Sequence, residues 1–382
     1  MGINLHQKST ALRCFLVIWL TVIFLSSSSF LFARNQKQVS QKYVSLMAYN
    51  VLNLFDATDD GDAQGDPTFL PFSVKKGWGV NKCLWKQGFR RTLCEDLDWT
   101  QDKYEERLRR VANVLIDYDG GADIVVLEEL ENRRVIYDLW DRHLRWKGYR
   151  KPIHFESPSN RGIDVGMVSR FPLKELPIAH TVDLSGIDPS PTRDVIEATF
   201  QVARKHFLKV AANHWPSLDH VVQARLRAAE VTKKIALKAQ REGIPFVAMG
   251  DFNTLPREVP NPIEKNISDD QWSDSKRPLV DIPHYVGHYP NSPGEGSHFY
   301  KGDWSPLDRI LVSKDFFHKG APFRVDVDTF GVFAPSYLLK QETSVDPVTG
   351  ESKTYSIPHR YDFLTDEGYS DHLPVVLKVV IR

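Results

Sequence analysis

Short runs of apolar residues, many of them β-branched, recur along the chain and predict a fold built mainly of β-strands. The run at 44–49 leads directly to Asn50. Runs of this kind that end at polar or glycine positions are typical of buried strands. Further runs of the same character lie at 124–127, 165–168, 195–200, 207–212, 246–249, 310–312 and 375–381.

Two segments have the periodicity of amphipathic helices. The first ends before the glycine pair at 120–121, and its apolar face comprises Tyr104, Leu108, Val111 and Leu115. The second begins near Ser217 and ends at Gly243, and its apolar face comprises Val221, Ala224, Ala228, Val231 and Ile235. Because strands outnumber helices and the helices separate strands, two sheets packed face to face with helices on their outer faces would bury these elements.

Three stretches are longer than connections in a compact domain require: 56–99, 257–305 and 316–369. They are rich in Pro, Gly, Asp and Trp, and we interpret them as loops that form the rim of a functional site. Their tryptophans suit either base stacking or contact with a bilayer, and these are Trp78, Trp85, Trp272 and Trp304.

The N-terminal segment has the pattern of a targeting sequence. Lys8 and Arg13 precede an apolar run at 14–24, and a serine-rich stretch then leads to Ala33. This arrangement predicts either a signal peptide at 1–33 or an uncleaved membrane anchor. Both alternatives predict export, with the rest of the chain secreted or periplasmic and a catalytic domain at 43–382.

Charge and composition restrict the function classes. Hydrophobic residues make up 42% of the chain and charged residues 26%, which is ordinary for a globular protein and excludes a disordered chain. Basic and acidic residues both number 49, so the net charge is zero. Binding of nucleic acid by bulk positive charge is therefore excluded, and any such contact must use local patches or a bound metal.

Two cysteines follow the targeting segment. Cys83 and Cys94 lie in a loop-like insertion, and in an oxidising compartment they are predicted to form a disulfide. The alternative is two free thiols. A zinc site is disfavoured because no second cysteine pair accompanies them.

Polar side chains cluster where the apolar runs end. One such residue alone would be explained as a turn residue. Their presence at several separate strand ends indicates a shared site. The residues are Asn50, Glu128, Glu129, Asn213, His214, Asp251, Asn253, Asp308, Asp371 and His372.

The order of these motifs resembles the endonuclease/exonuclease/phosphatase superfamily, which includes deoxyribonuclease I-like enzymes. The resemblance covers about 43–382 and is closest to bacterial secreted nuclease-like members. It implies an α/β fold, a four-layer sandwich of two mostly antiparallel sheets with helices on the outer faces. The motifs are Tyr49-Asn50, Leu127-Glu128-Glu129, Gly250-Asp251-Phe252-Asn253, Leu307-Asp308 and Ser370-Asp371-His372-Leu373-Pro374.

The resemblance implies a divalent metal with oxygen ligands. Glu129 would be the principal ligand, with the Asn50 amide oxygen and Asp371 beside it. An alternative placement lets Asp251 and Asn253 hold a second cation. Mg²⁺ is the first choice, and Mn²⁺ and Ca²⁺ are the alternatives. The family often has Gln where Glu128 stands, which implies a supporting role for Glu128.

The resemblance also implies the catalytic roles. Asp308 would orient His372, which would act as general base or as a cationic phosphate clamp. His214 would protonate the leaving oxygen, and Asp251 would orient the attacking water. The two residues expected to donate amide hydrogens to phosphate oxygens are Asn213 and Asn253.

A further motif, Arg161-Gly162-Ile163-Asp164, looks like one of the middle motifs of the family. Arg161 and Asp164 either line the site or belong to an ordinary turn followed by a strand.

Three functions remain open. The first is an exported metal-dependent endonuclease acting on DNA or also on RNA. The second is a phospholipid phosphodiesterase or phosphatase, sphingomyelinase-like or inositol-phosphatase-like, that uses the same site at a membrane lipid. The third is an inactive binding protein, which the complete polar set disfavours. No protein partner is indicated, and a monomer is expected.

Overall fold

Two six-stranded sheets form the centre of the computed structural model, which describes residues 43–61, 66–77, 81–345 and 350–382. These residues belong to one compact unit, Tyr43–Arg382. The predicted targeting segment at 1–33 and Trp78 lie outside the described residues.

The first sheet contains both ends of the unit, because its central strands are the first and the last. Strand β1 pairs with β16 antiparallel and with β2 in parallel. In spatial order the strands are Phe323–Val332 (β13), Val375–Ile381 (β16), Tyr43–Leu54 (β1), Ile124–Leu130 (β2), Asp164–Ser169 (β4) and Ile153–His154 (β3).

The second sheet has the same plan, with one parallel pair at its centre, β7 with β8. The other neighbouring strands in both sheets run antiparallel, which confirms the expected mostly antiparallel sheets. In spatial order the strands are Ile178–His180 (β5), Val195–Ala203 (β6), His206–His214 (β7), Phe246–Asp251 (β8), Asp308–Ser313 (β12) and Leu279–Asp281 (β9).

The prediction of a long loop at 316–369 is wrong. This stretch contains the edge strand β13 and a two-stranded hairpin, Leu339–Val345 (β14) with Ser352–Pro358 (β15). Strand β13 alternates charged and apolar residues and is partly exposed, so it lacks the apolar run that marks a buried strand. A second hairpin, His298–Tyr300 (β10) with Asp303–Ser305 (β11), lies within the predicted loop at 257–305.

The two long helices form where the periodicity predicts them. Helix α3 begins after Thr100, whose hydroxyl accepts a hydrogen bond from the Lys103 amide, and it buries Leu108 and Leu115. Helix α5 begins later than the predicted Ser217 and ends at Gly243. The α-helices of the described residues are Phe72–Lys75 (α1), Gly88–Asp96 (α2), Gln101–Asp117 (α3), Arg133–Leu139 (α4), Val222–Glu242 (α5), Pro262–Asn266 (α6) and Ile282–Val286 (α7).

The core has two parts. The larger lies between the sheets and beneath α3, where Met47, Val210 and Met249 are fully buried. The smaller lies between the second sheet and α5, where the alanines of the helix, such as Ala228, pack against Phe246. None of the helices in the described ranges is long and apolar enough to cross a membrane.

The cysteine pair lies in the insertion between β1 and α3. The sulfur atoms of Cys83 and Cys94 are at bonding distance, their Cα atoms are 5.8 Å apart, and both residues are buried. These distances confirm the predicted pairing of Cys83 with Cys94.

A buried ion pair joins β6 to β7. The Lys209 side chain is fully buried. Its Nζ lies 2.6 Å from Glu197 Oε1 and 2.7 Å from Glu242 Oε2. His180 Nε2 lies 2.8 Å from the other Glu197 oxygen. Burial alone would raise the pKa of Glu197, but the hydrogen bonds with His180 and Lys209 lower it to about 2.

We expect Glu197→Gln to destabilise the fold by about 3–5 kcal/mol, because it leaves the Lys209 ammonium buried beside a single, partly exposed carboxylate. Urea unfolding near neutral pH measures the loss. The control is Lys238→Gln, since Lys238 reaches Glu197 from solvent at 3.3 Å and should cost less than about 1 kcal/mol. Equal losses in the two variants would contradict the prediction.

The contribution of Glu197 has a definite pH dependence. Because its folded pKa is depressed from 4.5 to about 2, the stabilisation is fully present above pH 4.5. It is lost as the pH falls toward 2, and the difference between wild type and Glu197→Gln should shrink over that range.

Candidate active site

The strand ends of the two sheets meet at one edge of the sandwich. Asn50 on β1 pairs in register with Glu128 on β2. In the facing sheet, Asp251 on β8 pairs with His214 on β7 and with Asp308 on β12. The carboxyl ends of parallel neighbours lie at the same edge, and the antiparallel β12 begins there. This topology brings the polar residues of distant motifs together.

Asn50 connects the two sheets. Its buried amide nitrogen lies 3.4 Å from Glu129 Oε1 and 3.3 Å from Asp251 Oδ2. Its oxygen accepts a hydrogen bond from the Leu52 amide at 3.1 Å. The sequence predicts this oxygen as a metal ligand, whereas the structure turns the nitrogen toward the carboxylates, because two negatively charged groups attract a donor.

The backbone leaves regular strand geometry where it presents Glu129. Glu129 has φ of 66°, and the register between β2 and β4 shifts between Glu128 and Leu130. Its second oxygen accepts a hydrogen bond from the amide of Asn53, which has φ of 49°. Left-handed backbone at residues other than glycine costs about 1–3 kcal/mol and concentrates at functional sites.

His372 and Asp308 form the pair that the sequence predicts. His372 Nδ1 lies 2.7 Å from Asp308 Oδ2, and both side chains are buried. Burial lowers the pKa of His372, but the charge of Asp308 outweighs it and raises that pKa to about 10. The pairing with Asp308 thus favours the cationic form of His372, which suits the alternative of a phosphate clamp, and its catalytic role stays a prediction.

His214 has the opposite character. Its Nε2 lies 3.7 Å from Asp251 Oδ2. Burial and the nearby charges of Arg193 and Arg161 lower the pKa of His214 well below its usual value. Burial beside these cations favours the neutral form of His214, which disfavours the expected general acid, and its catalytic role stays a prediction.

Two further carboxyl groups are buried at the same edge. Burial, followed by the charge of Asp308, raises the pKa of Asp251 to about 7. Burial also raises the pKa of Glu128 well above its usual value, and neither of its carboxyl oxygens has a hydrogen-bond partner among the described residues. Its burial therefore favours the neutral form of Glu128, which resembles the glutamine that the family often has there.

Asn213 does not reach this site. Its amide nitrogen donates to the Ala211 carbonyl, and its oxygen accepts from Trp215 Nε1 and Thr232 Oγ1. Side chains alternate along β7, so Asn213 faces α5 while His214 faces the other sheet. The predicted phosphate contact of Asn213 is therefore wrong.

The remaining predicted residues lie around the rim. The Asn253 amide donates to Asp251 Oδ1 at 2.8 Å, and its side chain donates to the Trp215 carbonyl. Asp371 Oδ2 lies 3.7 Å from Arg360 Nε.

Arg161 and Asp164 of the middle motif have different positions relative to the site. Arg161 donates to Asn53 Oδ1 at 3.2 Å, beside Glu129, and so approaches the site. Asp164 instead accepts from the backbone amide and the hydroxyl of Ser157.

The structure assigns contacts to three residues that the sequence did not single out as members of the site. Ser297 donates to Asp308 Oδ2 at 2.5 Å. Ser370 donates to the Asn50 carbonyl and thereby ties the last motif to the first. Arg193 is buried, its Nε has no partner among the described residues, and burial lowers its pKa to about 10. Ser370 stood in a recognised motif, but Ser297 and Arg193 had no such signal.

The donor set fits a hard divalent cation. Carboxylate oxygens of Glu129 and Asp251 both contact the amide nitrogen of Asn50, and oxygen ligands are what Mg²⁺, Mn²⁺ and Ca²⁺ prefer. Ligand atoms of Asp251, Asp308 and His372 also lie within 4.8 Å of one another. Burial and then the negative charge of Asp308 raise the pKa of Asp251, and a bound cation would offset that negative charge.

Solved structures share this fold at low sequence identity. A human Nocturnin catalytic domain is 16% identical, with 89% of this chain and 95% of that chain covered and a TM-score of 0.50. The 2′,3′-cyclic phosphatase ANGEL2 is 14% identical, with coverage of 89% and 96% and a TM-score of 0.50. An endonuclease/exonuclease/phosphatase family protein from Bacteroides thetaiotaomicron is 17% identical, with 89% of this chain and 98% of that chain covered and a TM-score of 0.46.

The sequence comparison agrees with the fold. No curated protein sequence matches the chain. The family model of the Endonuclease/Exonuclease/phosphatase family matches residues 91–380, which include Glu129, Asp251, Asp308 and His372. The chain therefore belongs to the endonuclease/exonuclease/phosphatase family, and it is a hydrolase by that membership.

Proposed function

We propose that this protein is a divalent-metal-dependent phosphodiesterase that cleaves nucleic acid. One observation carries the proposal: carboxylates from both sheets and a histidine paired with one of them share a single site. Asn50 links Glu129 to Asp251, while His372 is held by Asp308. A phosphodiester needs a polarised water and neutralisation of its developing negative charge, and this arrangement offers groups for both.

The carboxylate side would hold the metal and handle the water. Glu129 would bind the cation, and Asn50 would join it with its amide turned so that the oxygen faces the ion. The cation supplies charge neutralisation and a more acidic water when bound. Asp251, with its pKa raised to about 7, is suited to accept the proton of the attacking water. The Asn253 amide fixes the orientation of Asp251 by binding its Oδ1.

The cationic side would hold the phosphate. Asp308 occupies Nδ1 of His372, so the Nε2–H of the imidazolium is the group that can donate to a phosphate oxygen. Arg193 and Arg161 add positive charge near His214. His214, being neutral, would position the phosphate through a hydrogen bond and would not supply a proton.

A row of aromatic rings favours nucleic acid as the substrate. The hairpin β10–β11 bridges to the last motif through His298 and His372, whose ring centroids are 4.4 Å apart. Tyr300 follows on the same strand with its ring 6.3 Å from His298 and nearly parallel, and it is 54% exposed. Such a platform beside the phosphate-binding histidine suits a stacked base.

The metal and the substrate class can be tested together. We expect plasmid DNA or RNA to be cleaved with Mg²⁺ or Mn²⁺, and excess chelator to abolish cleavage. Glu129→Gln should lower the rate by about 10²-fold or more, because it removes a charge that would bind the cation. Glu230→Gln, an exposed position on α5, is the control.

Full activity in chelator would overturn the metal mechanism. The same assay also includes sphingomyelin and a soluble phosphomonoester as substrates. Cleavage of either of them in place of nucleic acid would show the alternative lipid phosphodiesterase or phosphatase.

The stacking platform makes a separate prediction. Tyr300→Ala should lower kcat/KM on a polynucleotide by about 5- to 150-fold, the equivalent of about 1–3 kcal/mol of stacking. The same variant should have a much smaller effect on the hydrolysis of bis(nitrophenyl) phosphate, since that small diester carries no nucleobases to stack along the platform. Tyr300→Phe should retain activity, and the control is Tyr285→Ala, an exposed tyrosine on α7. Equal losses on both substrates would contradict base stacking.

A further inference from the structure

A second cluster of ligand-type side chains lies at the edge of the first sheet. His154 ends β3 and Asp164 begins β4, so these two flank the loop at 155–163, and Glu156 lies in that loop. One ligand atom from each lies within 4.8 Å of the others. None of the three takes part in the active-site contacts described above.

His154 is buried and unsatisfied. Its side chain is 1% exposed, and neither ring nitrogen has a hydrogen-bond partner among the described residues. Nε2 nevertheless lies 3.1 Å from Asp164 Oδ2, and Nδ1 lies 3.8 Å from Glu156 Oε1. Buried imidazole nitrogens normally have partners, so this ring requires an explanation.

A cation bound by Nε2 and Asp164 Oδ2 explains the contact at that nitrogen, while Nδ1 of the same ring faces Glu156 Oε1. The short contact between Nε2 and Asp164 Oδ2 is within hydrogen-bond distance but lacks hydrogen-bond direction. Two atoms that each bind one ion at about 2.1 Å lie about 3.0–3.4 Å apart, and they point at the ion and not at each other.

The carboxylates are oriented as metal ligands usually are. The backbone amide and the hydroxyl of Ser157 hold Asp164 Oδ1 at 2.9 and 2.5 Å, which leaves Oδ2 for the ion. The Arg133 amide donates to Glu156 Oε1 at 3.0 Å and leaves Oε2. Supporting hydrogen bonds of this kind fix ligands around a metal. Glu156 and Asp164 also line a cavity of about 470 Å³ that can admit water ligands.

We propose that His154, Glu156 and Asp164 bind a divalent transition-metal ion such as Zn²⁺ or Mn²⁺. One imidazole and two carboxylates form a set that these ions accept, whereas Mg²⁺ prefers oxygen ligands alone. The site is separate from the proposed catalytic cation and does not depend on the proposed function.

The position of the site gives it a structural consequence. Its ligands stand on both sides of the loop at 155–163, so a bound ion would join the two ends of that loop. The loop carries Arg161, which donates to Asn53, and the Asn53 amide holds Glu129. The metal would therefore hold an active-site arginine in place from outside the active site.

Metal content tests the proposal without any activity assay. The chelator-treated protein is dialysed against Zn²⁺ and its bound zinc is counted, for wild type, His154→Ala and Glu156→Gln. We expect both variants to bind one equivalent less than wild type and to lose the rise in Tm that Zn²⁺ gives. The matched control is His220→Ala, whose ring pairs with a single carboxylate, Asp188, at 2.7 Å and should match wild type.

The remaining outcomes are also decisive. If His154→Ala does not fold, Glu156→Gln decides, because the Glu156 side chain is 57% exposed and its replacement should not disturb packing. Equal zinc content in wild type and Glu156→Gln would overturn the proposal. So would a pattern in which only Glu129→Gln loses an equivalent, since zinc would then bind at the active site alone.

Discussion

The burial of three carboxyl groups around one imidazolium is the constraint on which the site depends. Asp251, Asp308 and Glu128 lie at the meeting edge of the two sheets, and His372 is the cation in direct contact with Asp308. Buried charges are costly unless they are paired, so the groups without such a partner hold their protons more tightly. This accounts for the raised pKa of Glu128 and of Asp251. It also makes Asp251 the group best suited to accept a proton near neutral pH.

The fold creates this constraint through its topology. Each sheet has one parallel pair at its centre, and the carboxyl ends of both pairs lie at the same edge of the sandwich. Regular alternation would turn Glu128 and Glu129 to opposite faces, and the irregularity at Glu129 brings its carboxylate to Asn50 instead. The strained backbone of this segment is thus tied to the placement of the principal carboxylate. Ser370 then closes the site by joining the last motif to the first strand.

The sequence predicts the strands that are apolar and the polar residues that end them, because both follow from local periodicity. It fails where partners at long range decide the outcome. Strand β13 is an edge strand without an apolar run, so a loop was predicted there. Asn213 and His214 are neighbours whose side chains lie on opposite faces of the sheet. Only the packing of α5 shows that the Asn213 side chain is hydrogen-bonded to Thr232. The protonation of the histidines depends on Asp308 and Arg193, which are remote in sequence.

The central claim is that His372 is the cation of the site and that His214 is neutral, and leaving-group chemistry tests it most directly. His214→Ala and His372→Ala are compared with wild type on two diesters, a dinucleotide with an alkoxide leaving group and bis(nitrophenyl) phosphate, which needs no proton donor. The account predicts that each variant loses the same factor on both substrates, because both histidines act on the phosphate. A loss for His214→Ala about 10²-fold or more greater on the dinucleotide would show that His214 is a general acid and would contradict the account.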